Sequence, residues 1–204
     1  RDPWRHEPAV TTRTLAQAGV QSFKEGKYEE AIDQLTRANA EFPAPQYLLY
    51  LGRALVRLKR LVEARQAFAG AMAMTAPAGA PEDFVANFRK AQDLATTDLA
   101  MLLQTIPLVR ARVSGPPVTA VRVTSSSGLL WSAPGNGDLD VASNPGRQVL
   151  RFEAAGFEPV EVTFEATERA AAGLASEITI TLRSSAPRPA PVEKRSSPTP
   201  APGD

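Results

Sequence analysis

The chain has 204 residues, 43% of them hydrophobic, and a formal net charge of +1 at neutral pH. That length holds one or two small domains, and so even a charge argues against non-specific nucleic-acid binding. Cysteine is absent and His6 is the single histidine, which excludes disulfides and thiolate metal centres and leaves a nucleophile–histidine pair nowhere to stand but the N-terminal segment.

Residues 1–11 contain Pro3, Trp4, His6 and Pro8 without any period and are read as an extended lead-in. Thr11 and Thr12 are candidate caps for a first helix over about Thr12–Glu25. Gly26 supplies a turn, and a second helix over about Tyr28–Glu41 carries Ile32, Leu35 and Ala38 as an apolar stripe until Pro43 stops it. A third helix is expected over Pro45–Leu58, with Leu48, Leu51, Leu55 and Leu58 on one face, and a fourth over Leu61–Met74, with Ala64, Phe68, Ala71 and Met72. After a Pro/Gly/Ala break, a longer fifth helix is predicted from Pro81, which suits a first helical turn, to Thr105.

Beyond Pro107 the hydrophobic period falls from about 3.6 to 2. Strands are predicted at 108–113, 118–123, 128–131, 148–154, 160–165 and 177–182, with turn chemistry at Pro134–Asp138. Glu168–Ala175 reads either as a loose loop or as one helical turn. Trp131 fits either a core anchor or an exposed contact. From Ser184 to Asp204 six prolines stand among Ser, Ala, Thr and Arg, the composition of a segment expected to stay disordered. The expected architecture is therefore α+β in two domains. An N-terminal set of α-helical hairpin repeats with a capping helix (12–106) precedes a small antiparallel β-sandwich (107–183) and a Pro-rich tail (184–204).

The helical half repeats itself at an interval of 33 residues. Leu15, Gly19, Ala31, Leu35 and Ala38 recur as Leu48, Gly52, Ala64, Phe68 and Ala71, with Lys59 where the first copy has Gly26. A period of this length with small residues at fixed offsets marks stacked helical hairpins, which recognise other proteins more often than they catalyse. Residues 12–76 resemble tetratricopeptide repeats, a resemblance that implies close interhelical packing at Gly19, Ala31, Gly52 and Ala64. The segment Pro145–Phe152 followed by Gly156–Pro159 is similar to the PEGA domain of bacterial envelope proteins, although that family's name-giving motif is absent. The combination of short repeat array, such a domain and a Pro-rich tail resembles myxobacterial cell-envelope proteins. That resemblance implies a periplasmic, envelope or extracellular location, with any membrane attachment through segments outside this chain. A start at Arg1 rather than Met is in keeping with a processed protein or a fragment.

In tetratricopeptide arrays the first helix of each repeat lines a concave surface. The resemblance transfers that role to Arg13, Ala16, Val20, Phe23 and Lys24, then to Gln46, Leu49, Arg53, Val56 and Arg57. The candidate partner-binding residues are accordingly Arg13, Phe23, Lys24, Leu49, Arg53, Val56 and Arg57, a basic stripe beside apolar side chains that would suit an acidic or C-terminal peptide. The opposing expectation is a solvated basic face whose apolar positions are covered by the long helix or the β-domain. Scattered carboxylates on helix faces do not form a catalytic pair, and Asn136–Asp140 lacks the downstream glutamate of a calcium loop and reads as a β-turn. No enzyme activity, cofactor or metal is expected. Three functions remain open: a protein-binding adaptor of the cell envelope, a self-associating structural subunit of an envelope or extracellular assembly, and a cell-wall or glycan-binding β-domain on a helical scaffold.

Overall fold

The computed structural model describes residues 10–126, 128, 130–167 and 176–185. The lead-in before Val10, the segment Glu168–Ala175 and the tail beyond Ser185 lie outside the described residues. Five helices come first: α1 (Val10–Lys24), α2 (Tyr28–Glu41), α3 (Pro45–Arg57), α4 (Leu61–Ala73) and α5 (Glu82–Thr105). Seven strands follow: β1 (Leu108–Ser114), β2 (Ala120–Ser125), β3 (Leu130–Pro134), β4 (Gly137–Ala142), β5 (Gly146–Glu153), β6 (Val160–Ala166) and β7 (Ser176–Thr181). None of the described helices is long and apolar enough to cross a membrane.

Small residues set how closely the helices of each hairpin approach. A Cβ added at Gly19 would lie 2.7 Å from Leu35 Cγ, and one added at Gly52 would lie 2.5 Å from Phe68 Cε1. Ala31 and Ala64 have no exposed surface at all. The crossings expected from the repeat are therefore present in both copies. The turns within the two hairpins are also alike. In the first, Gly26 N–H donates to Phe23 O and Lys27 N–H to Ser22 O; in the second, Lys59 N–H donates to Val56 O and Arg60 N–H to Leu55 O. This is the Schellman closure, which needs a left-handed residue after the helix. Gly26 takes that conformation at φ 79°, and Lys59 is driven into it at φ 59°.

Two local expectations change. Helix α1 begins at Val10, ahead of Thr12, so Thr12 is not a cap. Its side chain is 2% exposed and its hydroxyl donates to the Glu41 carboxylate at the far end of α2. Helix α5 starts at Glu82 with Pro81 as its N-cap residue, one place outside the helix. The C-terminal carbonyls of α4 are met by α5: Gln92 Nε2 approaches Ala71 O, Met72 O and Met74 O at 2.9–3.2 Å.

The strands form two sheets, ordered β4-β1-β7 and β3-β2-β5-β6. Val121, Val123, Leu150 and Phe152 from one face Ala111, Val113, Val141 and Ile180 from the other in a single apolar cluster. Strand β4 was not foreseen. Its sequence Gly-Asp-Leu-Asp-Val-Ala alternates, but the turn residues before it mask the pattern. Asp138 and Asp140 face solvent, where they pair with Arg112 (3.1 Å) and Arg110 (2.8 Å) of β1. Those carboxylates thus neutralise cross-strand guanidinium groups. The sandwich is also not wholly antiparallel, because β1 and β7 run parallel. The chain reaches β7 by crossing from the other sheet after β6, and such a connection does not impose the reversal that a hairpin does.

The two halves share an apolar boundary. Leu108, Trp131 and Ala142 pack into the core of α3, α4 and α5, and Trp131 also touches the sandwich core. Trp131, half-buried, is therefore an anchor between both cores.

Candidate partner-binding cleft

The three first helices of the hairpin stack, α1, α3 and α5, line a concave side. Their ends nearest the β-domain enclose an open cleft of about 500 Å³ lined by Phe23, Arg53, Val56, Arg57, Phe68, Asp98, Met101, Leu102 and Thr105. Phe23 is held there by rings on two sides, 5.8 Å from Tyr28 and 5.6 Å from Tyr50 between centroids. Met101, 56% exposed, gives the α5 wall an accessible apolar side chain. A second, smaller hollow lies towards the start of the stack, between Arg13, Ala16, Gln17, Val20, Gln21 and Lys24 of α1 and Gln46 and Tyr47 of α3. Burial pushes the Tyr47 phenol up from its ordinary value, and the nearby Arg13 acts against that shift.

The predicted site residues divide among these surroundings. Phe23, Arg53, Val56 and Arg57 meet in the larger cleft, whereas Arg13 and Lys24 line the smaller hollow. Leu49 does neither. It is 3% exposed and belongs to the helical core, because its place on α3 faces the neighbouring helices rather than the concave side. Arg53 is present but already engaged: its Nε lies 2.6 Å from Asp98 Oδ2 on α5, and its guanidinium stands 5.6 Å from the centre of the Tyr50 ring. That pair ties α3 to α5 and removes Arg53 as an unmatched cation. Lys24 and Arg57 are exposed and have no acidic partner among the described residues.

The positive character of the concave side is thus concentrated at Arg57 and Lys24, beside an apolar floor of Phe23, Val56 and Met101. Sequence reasoning missed the α5 contribution of Asp98, Met101 and Thr105. The signal was available, since Leu94, Asp98, Met101 and Thr105 recur at three and four along one face of α5. Chemically the cleft offers apolar contact and one exposed cationic donor, Arg57, beside the Arg53–Asp98 pair.

A comparison with curated proteins gives no match. Residues 22–78 match the family model of the tetratricopeptide repeat, a stretch that runs from the end of α1 through both Schellman turns to the end of α4. Residues 22–78 are therefore a tetratricopeptide-repeat segment, and repeats of this family serve as scaffolds for protein–protein interaction.

Proposed function

We propose that this chain is a non-enzymatic adaptor of the bacterial cell envelope whose concave cleft takes an acidic peptide segment of a protein partner. The observation that carries the reading is the pairing state of the cleft cations. Arg53 is matched by Asp98, while Arg57 stands exposed at the rim without a carboxylate partner among the described residues. An apolar side chain from the partner would sit between Phe23, Val56 and Met101, and its carboxylate would reach Arg57, with Lys24 further along the stack. A charge-assisted bond of this kind is worth more than a neutral one and fixes register as well as affinity. The location rests on the resemblance of residues 145–159 to a PEGA domain and on the composition of the Pro-rich tail. A secretion signal or anchor in the full reading frame supports it, and a full reading frame lacking both removes it.

The binding reading is tested by selecting peptides from a random library with the full chain. Selected peptides are expected to carry an acidic residue near an aliphatic or aromatic one. Arg57→Glu is expected to weaken them by about tenfold, in line with a lost charged hydrogen bond. Arg65→Glu, on exposed α4 surface outside the cleft, is expected to leave affinity unchanged. Selection without acidic enrichment, or equal affinity in Arg57→Glu, would discard the cleft as the binding surface.

A further inference from the structure

Helix α4 has no cap of its own. Its N-cap residue, Arg60, makes no side-chain capping bond, although the N–H groups of a first helical turn need acceptors. The acceptor comes from the β-domain: Asn144 Oδ1 receives the Val62 backbone N–H at 2.8 Å. The same side chain donates from Nδ2 to Glu63 Oε2, also at 2.8 Å. Val62 and Glu63 are the second and third residues of α4. A cap side chain accepts the N–H of the second or third helical residue, and in a capping box a glutamate at the third position answers through the cap's own backbone N–H. Here Asn144, in the loop between β4 and β5, makes a comparable reciprocal pair through its side chain alone, with Val62 N–H and with the Glu63 carboxylate. Helix α2 also starts without a side-chain cap from its own Lys27, and no side chain from elsewhere replaces it among the described residues. Next to Asn144, Ser143 N–H donates to Pro107 O at 2.9 Å, while Ala142 enters the helical core.

We propose that Asn144 is an interdomain helix cap, through which the β-domain fixes the α3–α4 turn and so positions Arg57. Arg57 is the last residue of α3, and the turn Leu58–Arg60 joins it to the capped end of α4. The turn is thus tied on one side by carbonyls of α3 and on the other by Asn144. The consequence for Arg57 rests on the cleft reading above; the cap does not.

The test is amide hydrogen exchange on the full chain, without any partner. Asn144→Ala is expected to speed exchange at Val62 by roughly two- to thirtyfold, the factor a lost cap represents, while the first turn of α2 keeps its rate. Asn144→Asp keeps the acceptor for Val62 but sets a second carboxylate against Glu63. Combining it with Glu63→Gln restores a donor opposite an acceptor, and the double variant is expected to exchange Val62 as slowly as the native chain. Native exchange at Val62 in Asn144→Ala overturns the proposal, as does a failure of Glu63→Gln to rescue Asn144→Asp. The Asp/Gln pair carries the test even if Asn144→Ala does not fold. Because no peptide is used, a failed cap and a failed cleft are separate results.

Discussion

Gly52→Ala adds one methyl group where the two helices of the second hairpin cross. The new Cβ would lie 2.5, 2.7 and 2.9 Å from Phe68 Cε1, Cδ1 and Cζ. The ring is 1% exposed and belongs to the helical core, with one edge on the cleft, so either the ring or the backbones must shift. Overpacking of this kind costs about 1–3 kcal/mol, and the better helix propensity of alanine returns about 1 kcal/mol. The net expectation is a loss of up to about 2 kcal/mol, or up to ~8 °C in melting temperature for a chain of this size. Gly70→Ala is the matched control, since its Cβ would meet only the flexible end of Leu48, at 3.2 Å. There the propensity gain of up to about 1 kcal/mol is expected to survive, leaving the variant as stable as the native chain or slightly more so. Adding Phe68→Leu to Gly52→Ala should cost less than the two losses summed, because the smaller side chain removes the clash. Thermal melts followed by circular dichroism at 222 nm decide the matter (a wavelength that reports helix). A Gly52→Ala chain melting at or above the native one refutes close approach as the basis of the hairpin.

Lys59→Gly is expected to stabilise by about 0.5–1 kcal/mol in urea titration, because a left-handed conformation strains lysine and not glycine. An unchanged midpoint would mean that the contacts of the Lys59 side chain offset the strain. Asp140 responds to acid. The hydrogen bonds from Arg110 hold its carboxyl below the ordinary value against a smaller opposing effect of burial. A carboxylate whose folded value is depressed stabilises above its unfolded value, and the benefit fades as pH falls through the folded one, below about pH 4. Asp140→Asn should therefore be less stable than the native chain at pH 7, with the difference narrowing as pH falls towards 2, and by a modest amount because the pair is half exposed. A deficit as large at pH 2 as at pH 7 would point to a packing role instead.

The helical hairpins were legible because their signal is local. Gly19, Ala31, Gly52 and Ala64 repeat at a fixed interval, and each crossing is made between neighbours in the chain. The same holds for the alternation in β5 and β6, which form a simple antiparallel hairpin. What escaped depends on partners distant in sequence. Strand β4 is specified by Arg110 and Arg112 across the sheet, and its aspartates look like turn residues until those arginines are beside them. Leu49 was placed on the concave side by its position in the repeat, yet on α3 that position turns into the core. Arg53 could not be recognised as neutralised, because its partner Asp98 lies 45 residues away on a helix outside the repeat. The pairing of Thr12 with Glu41 is hidden for the same reason.

Other contacts between residues distant in sequence converge on α4 and lead to a prediction about how the molecule opens. Alanines occupy positions 64, 67, 69, 71 and 73 of this helix, so apart from Leu61, Val62 and Phe68 it has little bulk to bury. Two repeats alone bury only part of what they expose and need neighbours. For α4 those neighbours are α5, whose Gln92 meets its last carbonyls, and the β-domain, whose Asn144 meets its first N–H groups. Helices α1 and α2 have no contact of this kind with the β-domain among the described residues. Hydrogen exchange in sub-denaturing urea should therefore find two cooperative units. Helices α1 and α2 should open first, while α4 and α5 should stay protected until β5 opens. Asn144→Ala should uncouple α4 from β5 and leave the opening of α1 and α2 where it was. If α4 opens together with α2 in the native chain, the tetratricopeptide array is energetically self-contained, and the contacts made by Asn144 and Trp131 join two modules without stabilising either.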